Sequence, residues 1–218
     1  MNRMGKMAGA LALMIFWCIM AQAQEADALY LALKQKHEMP RYQVFELAFK
    51  GYKKLKATGK IKNQVLSIAD FTLSANSKRL WVIDMAQQKV LFHSLVAHGR
   101  GSGQEFATHF SNENKSHQSS LGFYITGGLY EGVHGLSLYL YGLQKGLNDN
   151  ALSRAIVMHG ADYVSEDFIQ KYGRLGRSYG CPAIPQELVK PMLDQLKNKS
   201  CLLLYNSSQE ADIEQFIE

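Results

Sequence analysis

The chain has 218 residues, with 24 Lys and Arg against 19 Asp and Glu, a formal net charge of +5. A surplus this mild, with no Lys/Arg run, is not the footprint of a nucleic-acid-binding protein. The length suits one domain with a sizeable core.

Residues 1–23 read as a leader. Arg3 and Lys6 open it, an apolar run from Met7 to Met20 follows, and Ala21-Gln22-Ala23 is a small-x-small cleavage signal. This is the layout of a secretory signal peptide, and the run is too short to span a membrane comfortably. The bulky Ile15-Phe16-Trp17 before Cys18 argue against a lipoprotein site. Cleavage near Ala23 predicts an exported protein, resident in the periplasm or cell envelope. It leaves 195 residues with a net charge of +3 and two cysteines, Cys181 and Cys201. A mild positive charge suits work near an anionic polymer.

The remainder, 24–218, reads as a single domain with a helical N-terminal extension over 24–62. Val44, Leu47, Ala48, Tyr52 and Leu55 share one helical face, Pro40 separates two helices, and Gly59 ends the second. From Gln64 the period changes. QVLSIADF, RLWVIDM and KVLFHSLVA have strand length and composition, with Ala86-Gln87-Gln88 as the turn between the last two. A Gly- and Ser-rich loop region then runs from HGRGSG (98–103) to FSNENKSHQSS (110–120). Loops this long in compact domains are often functional. LGFYITGG, LSLYLYGL and RAIVMHG follow as strands, and ADYVSEDFIQKYG as a helix. PQELVKPMLDQLKN is a second helix with Pro185 at its first turn, CLLLY a buried strand, and SQEADIEQFIE a last short helix. The fold class is mainly β, with peripheral helices.

The chemistry centres on Gly176-Arg177-Ser178-Tyr179-Gly180-Cys181-Pro182. In an oxidising compartment Cys181 is open to a disulfide with Cys201. As a nucleophile it needs a base, because little free thiol is ionised at neutral pH. His159 ends the strand-like IVMH, and its following glycine lets the chain turn away. Gly180 permits unusual backbone angles, and Pro182 restricts Cys181 from the other side. The N–H groups of Tyr179, Gly180 and Cys181 form a candidate oxyanion hole. Arg174 and Arg177 are placed to attract a carboxylate. His98, His109, His117 and His134 show no H-E-x-x-H or C-x-x-C spacing, so no metal and no cofactor are expected.

His159-Gly160 followed by Ser178-Tyr179-Gly180-Cys181 resembles the HG…S-x-G-C signature of the L,D-transpeptidases, the YkuD-like catalytic domain. VAHGRGSG (96–103), FSN (110–112), SSLGFYITGGLYEG (119–132), HGLSLYLYGL (134–143) and ND-A (148–151) are similar to its murein L,D-transpeptidase catalytic-domain branch. The resemblance covers roughly Ile68 to Tyr205. It implies a β-sandwich or barrel fold and peptidoglycan stem peptides as substrate. It implies Cys181 as nucleophile, forming a thioester with loss of D-alanine from a tetrapeptide stem, and His159 as base. Gly180 and Cys181 would donate to the oxyanion, and Ser178 would brace the loop.

The chain departs from the wider family in two places. Tyr179 stands where histidine is common, and Ala183 where arginine is common two residues after the cysteine. Substrate-carboxylate recognition therefore falls to Arg177 or Arg174, with His98 and His134 as candidates for lining the groove or bracing loops. The sequence leaves the acceptor open. An amine gives a crosslink or an exchanged D-amino acid, water an L,D-carboxypeptidase, and a protein amine, or hydrolysis of one, attachment or release of an envelope protein. A non-catalytic peptidoglycan-binding protein is the alternative of another class. A monomer is expected.

Overall fold

A computed structural model describes residues 24–218; the predicted leader, 1–23, lies outside the described residues. Helix α1 (24–34 of the described residues) buries Ala26, Leu29, Tyr30 and Leu33, the i, i+3, i+4, i+7 stripe of a helix lying on a core. Helix α2 (Tyr42–Ala57) follows Pro40 and packs on the sheet through Val44, Phe45, Leu47, Ala48, Phe49, Tyr52 and Leu55. Its buried face is wider than the sequence stripe because Phe45 and Phe49 also turn inward, towards α1. Gly51 is needed there because a Cβ at this position would run into the Phe123 ring.

The strands are β1 (Val65–Asp70), β2 (Leu80–Asp84), β3 (Lys89–Ser94), β4 (Gly122–Gly132), β5 (Gly135–Gly142), β6 (Val157–Gly160), β7 (Ala183–Ile184) and β8 (Cys201–Tyr205). They form one eight-stranded sheet in the order β3-β2-β1-β8-β4-β5-β6-β7. Two pairings are parallel, β1 with β8 and β6 with β7. Strand β8, the last in sequence, lies in the middle and is fully apolar, as a strand covered on both faces must be. The sheet nearly closes on itself: beyond β3, the Ala97 N–H donates to the Ala183 carbonyl of β7 at 2.8 Å. Of the expected sandwich or barrel, the single curled sheet is the barrel.

Four details differ from the sequence reading. Strand β4 continues past Gly127-Gly128 to Gly132, because the glycine pair makes a bulge between Thr126 and Leu129 and does not end the strand. Helix α3 is only Glu166–Tyr172; Ala161 first donates to Ile184, and Ser165 then caps the helix by accepting from the Phe168 N–H at 3.2 Å. The helix at 185–198 begins as a 3-10 turn after Pro185 and becomes α4 (Val189–Leu196). The two-residue β7 was not foreseen. Helix α5 (Glu210–Glu214) closes the chain.

Candidate active site

Strand β6 carries His159 between two neighbours, opposite Ser137 of β5 and Ala183 of β7. The residue is 2 % exposed. Its Nδ1 lies 2.8 Å from the Gly160 carbonyl oxygen. A carbonyl only accepts, so Nδ1 carries the proton and Nε2 keeps its lone pair. Burial, and after it the neighbouring His134, hold the imidazole pKa below its ordinary value against the pull of the Gly160 carbonyl. The ring is therefore neutral and basic at neutral pH. His134, on the turn between β4 and β5, stacks on it with centroids 4.3 Å apart and planes 17° from parallel.

Cys181 lies two residues before the start of β7, on a loop fixed from both sides. The Ser178 hydroxyl donates to the Cys181 carbonyl at 2.6 Å and accepts from the Gly180 N–H at 3.0 Å. The Ser178 N–H donates to His98 O, and the Arg100 N–H donates to Ser178 O. The Ser119 hydroxyl donates to Gly180 O and accepts from the Gly99 N–H, both at 3.0 Å. Gly180 has φ +125, a conformation that a side chain rarely tolerates. Segments 98–100, 117–119 and 178–181 are thus knitted into one platform.

The Cys181 thiol is largely buried. It donates to the Ala155 carbonyl at 3.7 Å and receives the Val157 N–H at 3.5 Å. Burial pushes its pKa up, with the Val157 N–H and the nearby Arg154 guanidinium working the other way. No hydrogen bond joins this thiol to His159 among the described residues. The parallel register still relates them: His159 faces Ala183 across the β6–β7 ladder, and the thiol two residues earlier meets Val157 two residues earlier on β6. Cys201 is fully buried in β8, and both cysteines are free thiols.

Other expected residues are placed differently. Gly180 is not an available oxyanion donor, because its N–H is engaged by Ser178. Neither a carbonyl nor a side chain among the described residues takes the N–H of Tyr179 or Cys181. His98 does not line a groove. It is 0 % exposed, and its Nδ1 accepts from the buried Arg79 guanidinium at 2.8 Å, which puts the proton on Nε2. Burial and the Arg79 charge push its pKa down to about 3. Arg177 donates to the Gly103 carbonyl at 2.8 Å and Arg174 to the Leu175 carbonyl at 2.9 Å, so both fasten loop backbone. Tyr179 is 60 % exposed.

Sequence reasoning passed over Arg154, whose guanidinium binds the Ser111 and Gln118 carbonyls and the Ser116 and Ser120 hydroxyls beneath the nucleophile loop. It also gave no role to Ser119 and Arg100, and weighed His117 only as a metal ligand. The only signal for them was their position inside the HGRGSG and SHQSS blocks.

The family model for the YkuD_2 L,D-transpeptidase catalytic domain matches residues 36–205. Among curated proteins nothing matches. Among solved structures, the Ldtfm–avibactam carbamoyl enzyme is similar at 13 % identity and TM-score 0.39, covering 66 % of this chain and 49 % of that one. An L,D-transpeptidase from Mycobacterium smegmatis is similar at 12 % and 0.39, covering 66 % and 59 %. One from Stackebrandtia nassauensis is similar at 11 % and 0.41, covering 75 % and 66 %. The matched region thus spans about half to three-fifths of the first two. At these scores the solved structures add no argument, and the assignment rests on the family model, which takes in most of the chain, nucleophile loop included. The chain belongs to the L,D-transpeptidase catalytic-domain family.

Proposed function

We propose that the protein is an exported peptidoglycan L,D-transpeptidase that works through a Cys181 thioester. The observation that carries this reading is the His159 tautomer. With Nδ1–H anchored on Gly160, Nε2 is a neutral base on the strand beside the cysteine loop. The thiol gives up its bond to Ala155 O and passes its proton to Nε2. The thiolate adds to the carbonyl carbon of the diamino acid at stem position three. The N–H groups of Tyr179 and Cys181, uncommitted among the described residues, donate to the oxyanion that develops. The C–N bond to the terminal D-alanine then breaks, and His159 returns the proton to the departing amine. The side-chain amine of a neighbouring stem attacks the thioester, His159 takes its proton, the C–S bond breaks, and the thiolate is reprotonated. The product is a crosslink. The platform of Ser178, Ser119 and Gly99 holds the attacking sulfur in place, and such positioning is worth several orders of magnitude in rate.

The test is to incubate the protein, and its Cys181→Ala variant, with tetrapeptide-stem muropeptides and to weigh both protein and products. The reading requires an acyl adduct on Cys181 and a crosslinked dimer from wild type alone. Loss of D-alanine without dimer would make it an L,D-carboxypeptidase. Free Cys181 in folded protein, with neither adduct nor product, would overturn it.

A further inference from the structure

Four arginines adjoin the nucleophile loop, and three of them are bound to backbone. Arg154 holds the Ser111 and Gln118 carbonyls, Arg177 that of Gly103, and Arg174 that of Leu175. Arg100 differs, because its guanidinium meets only side chains. Its Nη2 and Nε lie 3.1 and 3.3 Å from His117 Nδ1, and its Nη1 lies 3.4 Å from the Tyr179 hydroxyl. Its Cζ stands 4.4 Å from the centre of the Tyr179 ring, and the His117 ring packs on the same tyrosine at 4.6 Å. Arg100 forms no ion pair among the described residues.

Three facts make this more than a surface arginine. The backbone of Arg100 is fixed to the nucleophile loop through Ser178, so the cation moves with that loop. His117 is held at φ 55, a left-handed conformation that a side chain adopts at some cost, and strain of this kind concentrates at functional sites. A guanidinium has five N–H donors, and one imidazole nitrogen with one phenol oxygen leaves an outward pair for a bidentate acceptor.

We propose that Arg100, oriented by His117 and by Tyr179, which stands two residues before the nucleophile, is a carboxylate-binding site for the acyl-donor peptide. The identity of that peptide rests on the transpeptidase reading. A tetrapeptide stem offers two carboxylates near the scissile bond. One is on the leaving D-alanine, and the other is the second carboxyl of a diamino diacid at position three.

The experiment compares three synthetic donors: the free acid, the D-alaninamide, and the diamino-acid side-chain carboxamide. Each is tested with wild type and with Arg100→Gln. We expect Arg100→Gln to raise KM for the free acid about tenfold or more, as loss of a charged hydrogen-bond pair does, with a smaller change in kcat. We expect wild type to lose the same factor on one of the two amides, and Arg100→Gln to lose nothing further on that amide. The amide that behaves this way identifies the carboxylate. The amides probe intact wild-type protein, so the result does not depend on how the variant folds. Equal discrimination by wild type and variant would overturn the site. If wild type forms no adduct from any donor, the transpeptidase reading fails instead. Calorimetry on Cys181→Ala then judges the site alone. Acid binding more tightly than amide, with the difference erased by Arg100→Gln, supports it; equal binding, or none, overturns it.

Discussion

His134 lies flat against His159, ring to ring at 4.3 Å, although one is on the turn between β4 and β5 and the other on β6. A residue at a hairpin turn thereby covers the face of the proposed base and keeps water from it. Burial dominates the lowered pKa of His159, and His134 supplies part of both the burial and the direct effect. We expect His134→Ala to move the acid limb of the kcat/KM profile to higher pH, towards the ordinary histidine range, and to slow turnover roughly tenfold. His134→Phe, which restores a flat cover, should move it less. Identical profiles for all three proteins would remove His134 from the mechanism.

The thiol of Cys181 is protected in the resting protein by burial and by its bond to Ala155. Alkylation by iodoacetamide at pH 7 should therefore be slower than that of free cysteine by roughly tenfold or more, and should accelerate towards alkaline pH. Replacement of Arg154 by methionine removes a charge that favours the thiolate and should slow it further. Cys201, sealed in the central strand, should stay unlabelled until the protein unfolds. Mass spectrometry of the labelled peptides reads all three outcomes.

Gly99 touches the nucleophile loop so closely that a Cβ there would stand 2.8 Å from Gly180 Cα and 2.9 Å from its nitrogen, and would press on the His117 carbonyl. Gly99→Ala must displace the loop that carries Cys181. Displacements of about an ångström cost roughly a hundredfold in rate. The expected result is that loss in kcat with a modest fall in melting temperature. Full activity would mean that the loop tolerates what its packing forbids.

His98 is neutral in the fold down to about pH 3, whereas in the unfolded chain it protonates near 6.5. Below pH 6.5 the unfolded state binds a proton that the folded state refuses. Stability is therefore fully present above pH 6.5 and is lost as pH falls towards 3, by as much as a few kcal/mol, at about 1.4 kcal/mol per pH unit. His93 and His159, also lowered, add to the same window. In His98→Asn the side-chain oxygen can accept from Arg79 where Nδ1 did, and nothing titrates. Melting curves between pH 8 and 4 should show a shallower slope for this variant. An unchanged slope would place the titration elsewhere.

Much of this architecture was legible in the chain. The helical stripe around Leu47 and Tyr52, the switch to strand period at Gln64 and the apolar CLLLY follow from local patterning, which burial on one face or two imposes directly. The predicted leader, 1–23, lies outside the described residues. Strand β7 is two residues long and exists only because its neighbours His159 and Gly160 are already in place, so no local signal marks it. The glycine pair at 127–128 reads as a stop in one dimension and as a bulge in three. The contacts of Arg100 with Tyr179 and of Arg79 with His98 join positions far apart in sequence, and residue type alone cannot pair them. That is why the sequence leaves His98 open between lining the groove and bracing a loop, and burial against Arg79 decides for the brace.

The central place of β8 has a consequence for how the molecule comes into being. Leu66 pairs with Cys201, and Phe123 with Leu203, so both halves of the sheet meet on the strand that comes last in sequence. A chain that emerges N-terminus first has two unjoined sheet fragments with open edges until that strand is out. Such edges invite pairing with other chains, and pairings across so much sequence form slowly. The protein should therefore depend on being kept apart from its own copies until β8 has emerged, and a nascent chain stopped before Cys201 should aggregate and never fold.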